Sequence, residues 1–327
     1  MKTKILSLLK IVLPLSFGIF LVWYVYNDLG EEERIKLFEA FKEANYLWII
    51  LSVTFGALSH LSRAYRWNFL LEPLGYKARF SNSFYSVMIG YAVNLALPRV
   101  GEATRCGVLN KYENIPFNKS FGTVLTERVF DMLILLSIMG SVLLLQFEVL
   151  EEHVMNLISG NNSEQSSVKA YILIGGGIMA VVGFWIIKKS NHPLMVKIRT
   201  LLLGFLDGLK SILKMKKPFQ FIGHTLFIWI MYVLMFYLCF FSLKETSTVP
   251  IGAVFSSFVM GALSIIFVPG GIGVYPAAIQ ITLALYGVSD PIGLALGWII
   301  WTSQTIMLIT LGCFSMIMIP KTNKKHE

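Results

Sequence analysis

Ionisable residues inside apolar segments are the first sign of chemistry in this sequence. Arg63 and Arg66 lie three residues apart in one such segment, and Glu127 and Asp131 lie four apart in another. Both spacings place side chains on one face of a helix. Charges are costly in apolar surroundings and usually functional there. We therefore interpret these residues, with Arg128, as a polar wall that faces a cavity and binds a charged group.

Two simpler interpretations stay open for the same residues. Arg66 is near the end of its segment, so its long side chain could extend to the membrane interface. Glu127 and Asp131 could form internal ion pairs that only hold helices together. In the binding interpretation, these carboxylates pair with arginines at the wall of the cavity.

The stretch NLALPRVGEATR, residues 94–105, interrupts a further apolar segment. Its polar and helix-breaking residues are Asn94, Pro98, Arg99, Gly101, Glu102 and Arg105. Pro98 disfavours helix for the residue before it, and Gly101 permits a tight turn. The next helix should begin with free N–H groups, which attract anions, and Arg99 and Arg105 add positive charge. Because arginine binds phosphate through one or two bonds at once, the break is a predicted phosphate site.

A second break is uncharged. It consists of Pro269, Gly270, Gly271 and Gly273. No Lys-Ser or Lys-Thr follows, so this glycine-rich loop is poor evidence for a nucleotide. Gln304 is a polar but uncharged position in the second half of the chain. We see no metal-ligand spacing and expect no metal and no cofactor.

The composition requires a membrane to surround these residues. Of 327 residues, 55% are hydrophobic and 14% charged, whereas about a quarter are charged in soluble domains. The net charge of +9 does not indicate nucleic acid, since the basic residues concentrate in alternate connections. We expect a multi-pass protein of the cell (cytoplasmic) membrane.

Six segments have the roughly 20 apolar residues that a spanning helix needs. They are Ile5–Tyr26, Tyr46–Leu71, Phe121–Phe147, Tyr171–Ile187, Phe219–Ser242 and Pro291–Ile319. Two more apolar segments, Phe80–Leu97 and Val249–Val268, end at the breaks and continue as Gly101–Tyr112 and Val274–Tyr286. The predicted fold class is all-α and polytopic.

The charges of the connections predict an orientation. Connections 27–45 and 148–167 are acidic, and connection 188–217 is strongly basic. Since lysine and arginine concentrate on the cytoplasmic side, both termini should be cytoplasmic. The two broken segments should then be re-entrant hairpins, the first entering from the cytoplasm and the second from outside. Leu194–Leu213 is either an amphipathic surface helix or only an orientation signal.

A repeated spacing indicates two related halves. Gly90 lies eight residues before Pro98, and Gly261 lies eight before Pro269. The predicted parts are one transmembrane domain over 1–327, a first repeat half over 1–150, a connection and fifth segment over 151–192, and a second half over 168–320. The halves have opposite orientation, as in transporters whose broken helices meet at the substrate site.

Four motifs follow one another in an order that is specific as a set. They are Arg63-x-x-Arg66-Trp67, Asn94-x-x-x-Pro98-Arg99-x-Gly101-Glu102-x-x-Arg105, Glu127-Arg128-x-x-Asp131 and Pro269-Gly-Gly-Ile-Gly273. Together they resemble the transmembrane region of lysylphosphatidylglycerol synthases, also known as an uncharacterised family of multi-pass membrane proteins. The resemblance covers nearly the whole chain. It implies a flippase-like region that moves aminoacylated phosphatidylglycerol, and relatives that act beside polyprenyl- or dolichyl-phosphate glycosyltransferases.

Two features depart from the family pattern. The sequence ends at Glu327 without the soluble synthase domain, so we expect no lysyl transfer. The acidic residue usual after the Pro-Gly-Gly loop is replaced by Val274-Tyr-Pro276, and an arginine of the last helix by the run Trp298–Gln304. The expectation that remains is phosphate or lipid handling.

Three functions are compatible with the sequence. The first is a lipid translocase, not itself an enzyme, for an anionic or aminoacylated phospholipid or a polyprenyl-phosphate-type lipid. The second is an accessory subunit or intramembrane enzyme acting with a lipid-phosphate glycosyltransferase or another lipid-modifying partner, and the third is a scaffold with closed ion pairs. A homo-oligomer is compatible with all three. The predicted headgroup-binding residues are Arg63, Arg66, Asn94, Arg99, Glu102, Arg105, Glu127, Arg128, Asp131 and Gln304.

Overall fold

The computed structural model describes residues 16–97, 100–146, 217–266 and 268–323, and only Trp185, His192 and Val196 of the segment 147–216. Met1–Val142 and Phe219–Glu327 group into one compact unit, and Leu143–Pro218 form a second, of which few residues are described.

Several predicted features fall wholly or mostly outside the described residues. These are the span Tyr171–Ile187, the surface helix Leu194–Leu213, the first part of the span Ile5–Tyr26, and the two residues Pro98 and Arg99.

All the regular elements in the described ranges are helices. They are α1 over residues 16–28, α2 (Glu31–Glu43), α3 (Tyr46–Leu71), α4 (Phe80–Ala96), α5 (Val100–Glu113), α6 (Phe117–Leu145), α7 (Pro218–Phe240), α8 (Ile251–Ser264), α9 (Val274–Ala284) and α10 (Asp290–Thr322). Short 3₁₀ turns follow α3 and precede α9.

Four of these helices, α3, α6, α7 and α10, are long and apolar enough to cross a membrane. They coincide with four of the six predicted spans to within a few residues. Their outer faces are strongly apolar: Leu136 and Leu144 of α6 are 52% and 82% exposed, as a lipid-facing surface requires. The chain is therefore an all-helical, multi-pass membrane protein.

The first half of α10 lies in the main hydrophobic core. Ala295, Leu296 and Ile300 are fully buried there against α7, α8 and α9. Gly297 lets the helices approach closely, because a Cβ at that position would lie 2.6 Å from the Cα of Pro276 in α9. This packing fixes α9 on the spanning helix α10.

The first break joins α4 and α5 into a helical hairpin, here called hairpin 1. α4 ends at Ala96, and Leu97 is extended, with φ −131° and ψ 95°, as expected for a residue before proline. The helices are antiparallel and close: a Cβ on Gly90 would lie 2.8 Å from the Gly101 carbonyl oxygen. At the base of hairpin 1, Asn82 and Asn323 exchange two hydrogen bonds of 2.8 and 2.9 Å, which tie α4 to the end of α10.

The second break joins α8 and α9 into hairpin 2. Val268, before Pro269, is extended, with φ −126° and ψ 129°. At the tip, Gly270, Gly271 and Gly273 all have positive φ, which explains why this loop is built from glycine. Gly261 occupies the same place in hairpin 2 as Gly90 does in hairpin 1, since both lie against the facing helix. A Cβ added at Gly261 would lie 2.8 Å from the Tyr275 ring.

The tips of the two hairpins lie together. The Leu95 carbonyl oxygen of hairpin 1 is 3.8 Å from the position of a Cβ on Gly270 of hairpin 2. Trp301 of α10 donates its Nε1–H to the Gly270 carbonyl at 2.6 Å and so holds the second tip in place. Entry of the hairpins into the membrane from opposite sides, the cytoplasmic termini and the division into repeat halves stay predictions.

Candidate functional site

The charged residues of α3 and α6 form one buried network. Arg63 and Arg66 lie on the same face of α3, and Glu127 and Asp131 on the facing side of α6, because their spacings match the helical repeat. Arg63 Nη1 lies 2.7 Å from Glu127 and 2.6 Å from Asp131. Arg66 Nη2 lies 2.9 Å and 3.0 Å from the same two carboxylates. Each arginine therefore bridges both acids.

A third arginine joins the network from hairpin 1. Arg105 of α5 donates from Nη2 to Glu127 Oε2 at 2.9 Å. Its guanidinium carbon lies 3.7 Å from the centroid of the Trp67 ring, a cation–π contact. Trp67 is itself held by a 2.8 Å hydrogen bond from Nε1 to Thr123 Oγ1. Glu127 thus accepts hydrogen bonds from three arginines, two of them on α3 and one on α5.

The helix α7 supplies two further partners that the sequence did not predict. Arg66 Nη1 donates to Thr225 Oγ1 at 2.8 Å, and Arg63 Nη2 donates to the Tyr232 hydroxyl at 3.3 Å. Thr225 and Tyr232 lie seven residues apart, two helical turns, on one face of α7. That spacing could have indicated a shared polar face in the sequence. Hydroxyl residues are common in apolar helices, however, and no other feature of the sequence distinguished Thr225 and Tyr232.

The charges of the network do not balance. Arg63, Arg66 and Arg105 carry three positive charges against two negative charges on Glu127 and Asp131, a formal excess of one. The five side chains are at most 10% exposed. Within the described part of the chain, the Nε–H of each of these arginines has no hydrogen-bond partner. A buried, positively charged group with unused donors favours an anion as an additional partner.

The start of α5 is capped from within hairpin 1. Asn94 Oδ1 accepts a 2.7 Å hydrogen bond from the Gly101 N–H, so one of the predicted free donors is already used. Asn94 Nδ2 also donates to Glu102 at 3.3 Å. Glu102 forms an ion pair of 2.7 Å with Arg128, which therefore pairs with hairpin 1 and not with Asp131, its neighbour on α6.

A small cavity lies between these two groups of charges. Its volume is about 10 Å³, room for about one water molecule. The residues around it are Val87, Gly90, Tyr91, Asn94, Gly101, Glu102, Arg105 and Arg128. The Arg128–Glu102 pair lies at the more open side, with side chains 43% and 24% exposed. A phosphate group is larger than this cavity, so side chains around it would have to move before a phosphate could bind there.

The other predicted site residues lie elsewhere or outside the description. Gln304 is on α10, near the Tyr275 hydroxyl, and no described contact joins it to the arginine network. The glycines of the second break form the tip of hairpin 2, next to hairpin 1. Arg99 is outside the described residues. The idea that Arg66 extends to the membrane interface is wrong, because Arg66 is fully buried against both carboxylates.

The chemistry open to this site is recognition of an anion by arginine. All four oxygens of Glu127 and Asp131 accept hydrogen bonds from arginines. The described residues contain no group of three or more His, Cys, Asp or Glu side chains that could hold a metal ion. The donors left for a ligand are arginine N–H groups, which suit a phosphate.

Residues 11–312 match the lysylphosphatidylglycerol synthase TM region family. The chain is 34% identical over 139 residues to the UPF0104 membrane protein MJ1595 of Methanocaldococcus jannaschii, covering 42% of this chain and 40% of that protein. It is 30% identical over 131 residues to the glycosyltransferase AglD of Haloferax volcanii, covering 37% of this chain and 21% of that protein. Less than half of either relative is therefore aligned.

No solved structure matches the chain. The family match covers both hairpins and the long helices α3, α6 and α7 completely, and it covers most of α10. The buried arginines and carboxylates, Arg63 to Asp131, lie within it. On this evidence the chain belongs to the lysylphosphatidylglycerol synthase TM region family.

Proposed function

We propose that this protein is a lipid translocase of the cell membrane that moves a phosphate-bearing lipid between leaflets. The lipid is an anionic or aminoacylated phospholipid or a polyprenyl-phosphate-type lipid. The observation that carries the proposal is the excess of buried arginine over carboxylate beside the tip of hairpin 1. A phosphodiester headgroup has one negative charge, which would balance this excess.

The headgroup would bind where the cavity lies, between Arg105 and Arg128. Both arginines are held by carboxylates, Glu127 and Glu102, and a phosphate can replace a carboxylate on an arginine with similar geometry. The more exposed Arg128–Glu102 pair would separate first, since such pairs contribute only about 0–1 kcal/mol. Arg63 and Arg66 would keep the remaining carboxylates in place.

The arrangement of the helices supports transport as the purpose of this binding. Two helical hairpins with their tips in contact are typical of transporters whose broken helices enter from opposite sides and meet near the midplane. We propose that hairpins 1 and 2 are such re-entrant elements in two inverted repeat halves. The acyl chains would remain in the bilayer while the headgroup passes the arginine network.

We also propose that the chain moves its lipid without changing it chemically. Every oxygen of the two buried carboxylates faces an arginine, so neither acid is placed to take a proton from a substrate. A second candidate function is service to a lipid-linked glycosyltransferase, either as a partner or as its membrane part. The similarity to the glycosyltransferase AglD favours this candidate.

A reconstituted translocation assay tests the proposal. Proteoliposomes would contain fluorescent phosphatidylglycerol, aminoacylated phosphatidylglycerol, a polyprenyl phosphate or zwitterionic phosphatidylcholine, and leaflet exchange would be followed by quenching from outside. We expect at least one of the first three lipids to exchange faster than phosphatidylcholine, and a roughly ten- to hundredfold loss of that exchange with Arg105→Gln, since a charged hydrogen bond contributes about 1.5–3 kcal/mol.

The matched control is Arg79→Gln. Arg79 is 61% exposed and pairs with Glu113 at the base of hairpin 1, away from the network. Its removal should leave exchange unchanged. Exchange of none of the lipids by the wild-type protein would refute the translocase, and unchanged exchange by Arg105→Gln would refute the site. Activity only when a glycosyltransferase is present would favour the second candidate.

A further inference from the structure

Two polar side chains near the arginine network each bury an atom that has no partner. His60 lies on α3, one turn before Arg63, and is 4% exposed, and Trp229 lies on α7. Among the described residues, no group forms a hydrogen bond with His60 Nδ1 or with Trp229 Nε1, although both atoms are buried. Such atoms are costly and uncommon, so two of them close to one site indicate that a ligand supplies the missing bonds.

Tyr232 of α7 adjoins both of these side chains. Its ring centroid lies 6.0 Å from that of His60 and 6.0 Å from that of Trp229. Its hydroxyl accepts the 3.3 Å hydrogen bond from Arg63, and Trp229 lies 6.5 Å from Phe258 of hairpin 2. We call His60, Tyr232 and Trp229 the neutral row. It leads from the arginine network toward hairpin 2.

Tyr91 of α4 separates the neutral row from the proposed phosphate position. Its ring lies 4.8 Å from the imidazole of His60, and Tyr91 also lines the small cavity beside Arg105. Side chains around that cavity have to move before a phosphate can bind, and Tyr91 is one of them. Displacement of its ring would join the cavity to His60. A headgroup held by its phosphate would then place its next atoms on the neutral row.

The chemistry of the neutral row suits hydroxyl groups. Across the described residues, no ion pair joins His60 to a carboxylate, and Arg63 lies one turn away, so the imidazole stays uncharged like the indole and the phenol. A hydroxyl both donates and accepts, so it can pair with His60 Nδ1 in either tautomer and with the Trp229 N–H. An ammonium only donates, and it would add a charge beside a group that already has a positive excess.

We propose that the neutral row binds uncharged hydroxyl groups of the lipid headgroup while the arginines bind its phosphate. The ligand is a phosphodiester lipid with a hydroxyl-rich group, either glycerol or a sugar, beyond the phosphate. This inference rests on the proposed function and narrows its substrate. A lipid without these hydroxyl groups would leave His60 and Trp229 unpaired, and a site with unpaired buried polar groups discriminates against such an analogue.

Two pairs of soluble probes, matched in charge, test the neutral row on the purified full chain. Dihexanoylphosphatidylglycerol is compared with dihexanoylphosphatidylpropanol, and citronellyl phosphoglucose with citronellyl cyclohexyl phosphate. Within each pair the phosphodiester is the same, and the hydroxyl groups are the main difference. Calorimetry should give about tenfold tighter binding of the hydroxyl-bearing member in at least one pair, as one or two hydrogen bonds would produce. The pair that shows the preference identifies glycerol or sugar as the source of the hydroxyl groups.

Trp229→Phe is the variant that tests the row directly, because it keeps an aromatic ring and removes the Nε1–H. It should bind the hydroxyl-bearing probe about threefold more weakly than the wild type does, and the hydroxyl-free probe equally well. The matched control is Trp48→Phe. Trp48 packs on Phe241 and lies roughly 18 Å from His60 along α3, so its replacement should keep the preference.

The comparison on the wild-type protein keeps the inference testable even if Trp229→Phe does not fold. Equal or weaker binding of the hydroxyl-bearing member in both pairs would overturn the neutral row and leave the anion site intact. A full preference in folded Trp229→Phe would overturn it as well. Absence of binding by all four probes would instead refute the phosphate site of the proposed function.

Discussion

The charge imbalance of the buried network makes a sharp prediction about Glu127→Gln. Glu127 is 1% exposed in its side chain and contacts all three arginines of the network, at 2.7, 2.9 and 2.9 Å. The amide is nearly isosteric, so the change removes a charge without opening a cavity. It raises the formal excess from +1 to +2.

The expected loss of unfolding free energy is large. Removing one partner of a buried ion pair typically costs about 3–5 kcal/mol, because the other charge stays buried. Arg105→Gln should be less severe, about 1–3 kcal/mol, since it removes one charged hydrogen bond but brings the network to neutrality. The double variant returns the excess to +1 and should lose less than the sum of the single losses, with a coupling of about 0.5–3 kcal/mol.

Equilibrium unfolding in detergent micelles, followed by helix content, measures these differences. Glu102→Gln is the control, because its pair with Arg128 is partly exposed and should contribute at most about 1 kcal/mol. Equal losses for Glu127→Gln and Glu102→Gln would refute the importance of burial. A greater loss for Arg105→Gln than for Glu127→Gln would refute the charge-balance reasoning.

Three further predictions concern the hairpins. Gly101→Ala should destabilise the protein by about 1–3 kcal/mol because the new Cβ would overlap the facing helix. Gly107→Ala on the same helix meets nothing within 4 Å and should be neutral or stabilising in the same unfolding assay. Trp301→Phe removes the hydrogen bond to the tip of hairpin 2, so amide hydrogen exchange at that tip should become faster, and an unchanged rate would contradict its role. In a cysteine-free background, cysteines at Asn114 and Ser289 should react with an impermeant reagent from the cytoplasmic and outer sides, respectively; reaction from the same side would exclude oppositely oriented hairpins.

Helices and their interruptions were predictable because they depend on nearby residues. Apolar length alone located α3, α6, α7 and α10, and the prolines located both breaks. The extended conformations of Leu97 and Val268 follow from the proline that comes next. The shared faces of Arg63 with Arg66, and of Glu127 with Asp131, follow from the helical repeat.

The partners of these residues were less predictable. Arg128 was expected in the same polar wall as Asp131, but it pairs with Glu102 of hairpin 1. The free N–H groups predicted at the start of α5 are partly used by Asn94, because the chain turns back on itself. Gln304 was grouped with the site from its place in the second half, yet it lies near Tyr275 of hairpin 2.

The sequence by itself therefore determined a membrane protein with apolar helices, two proline breaks and an unusual set of buried charges. Only the tertiary structure decided that Arg105 reaches Glu127, and that three arginine Nε–H groups lack a partner in the described part of the chain. The physical reason is one of range. A helical face is set within a few residues, whereas a contact between helices depends on how each rotates and packs against the others.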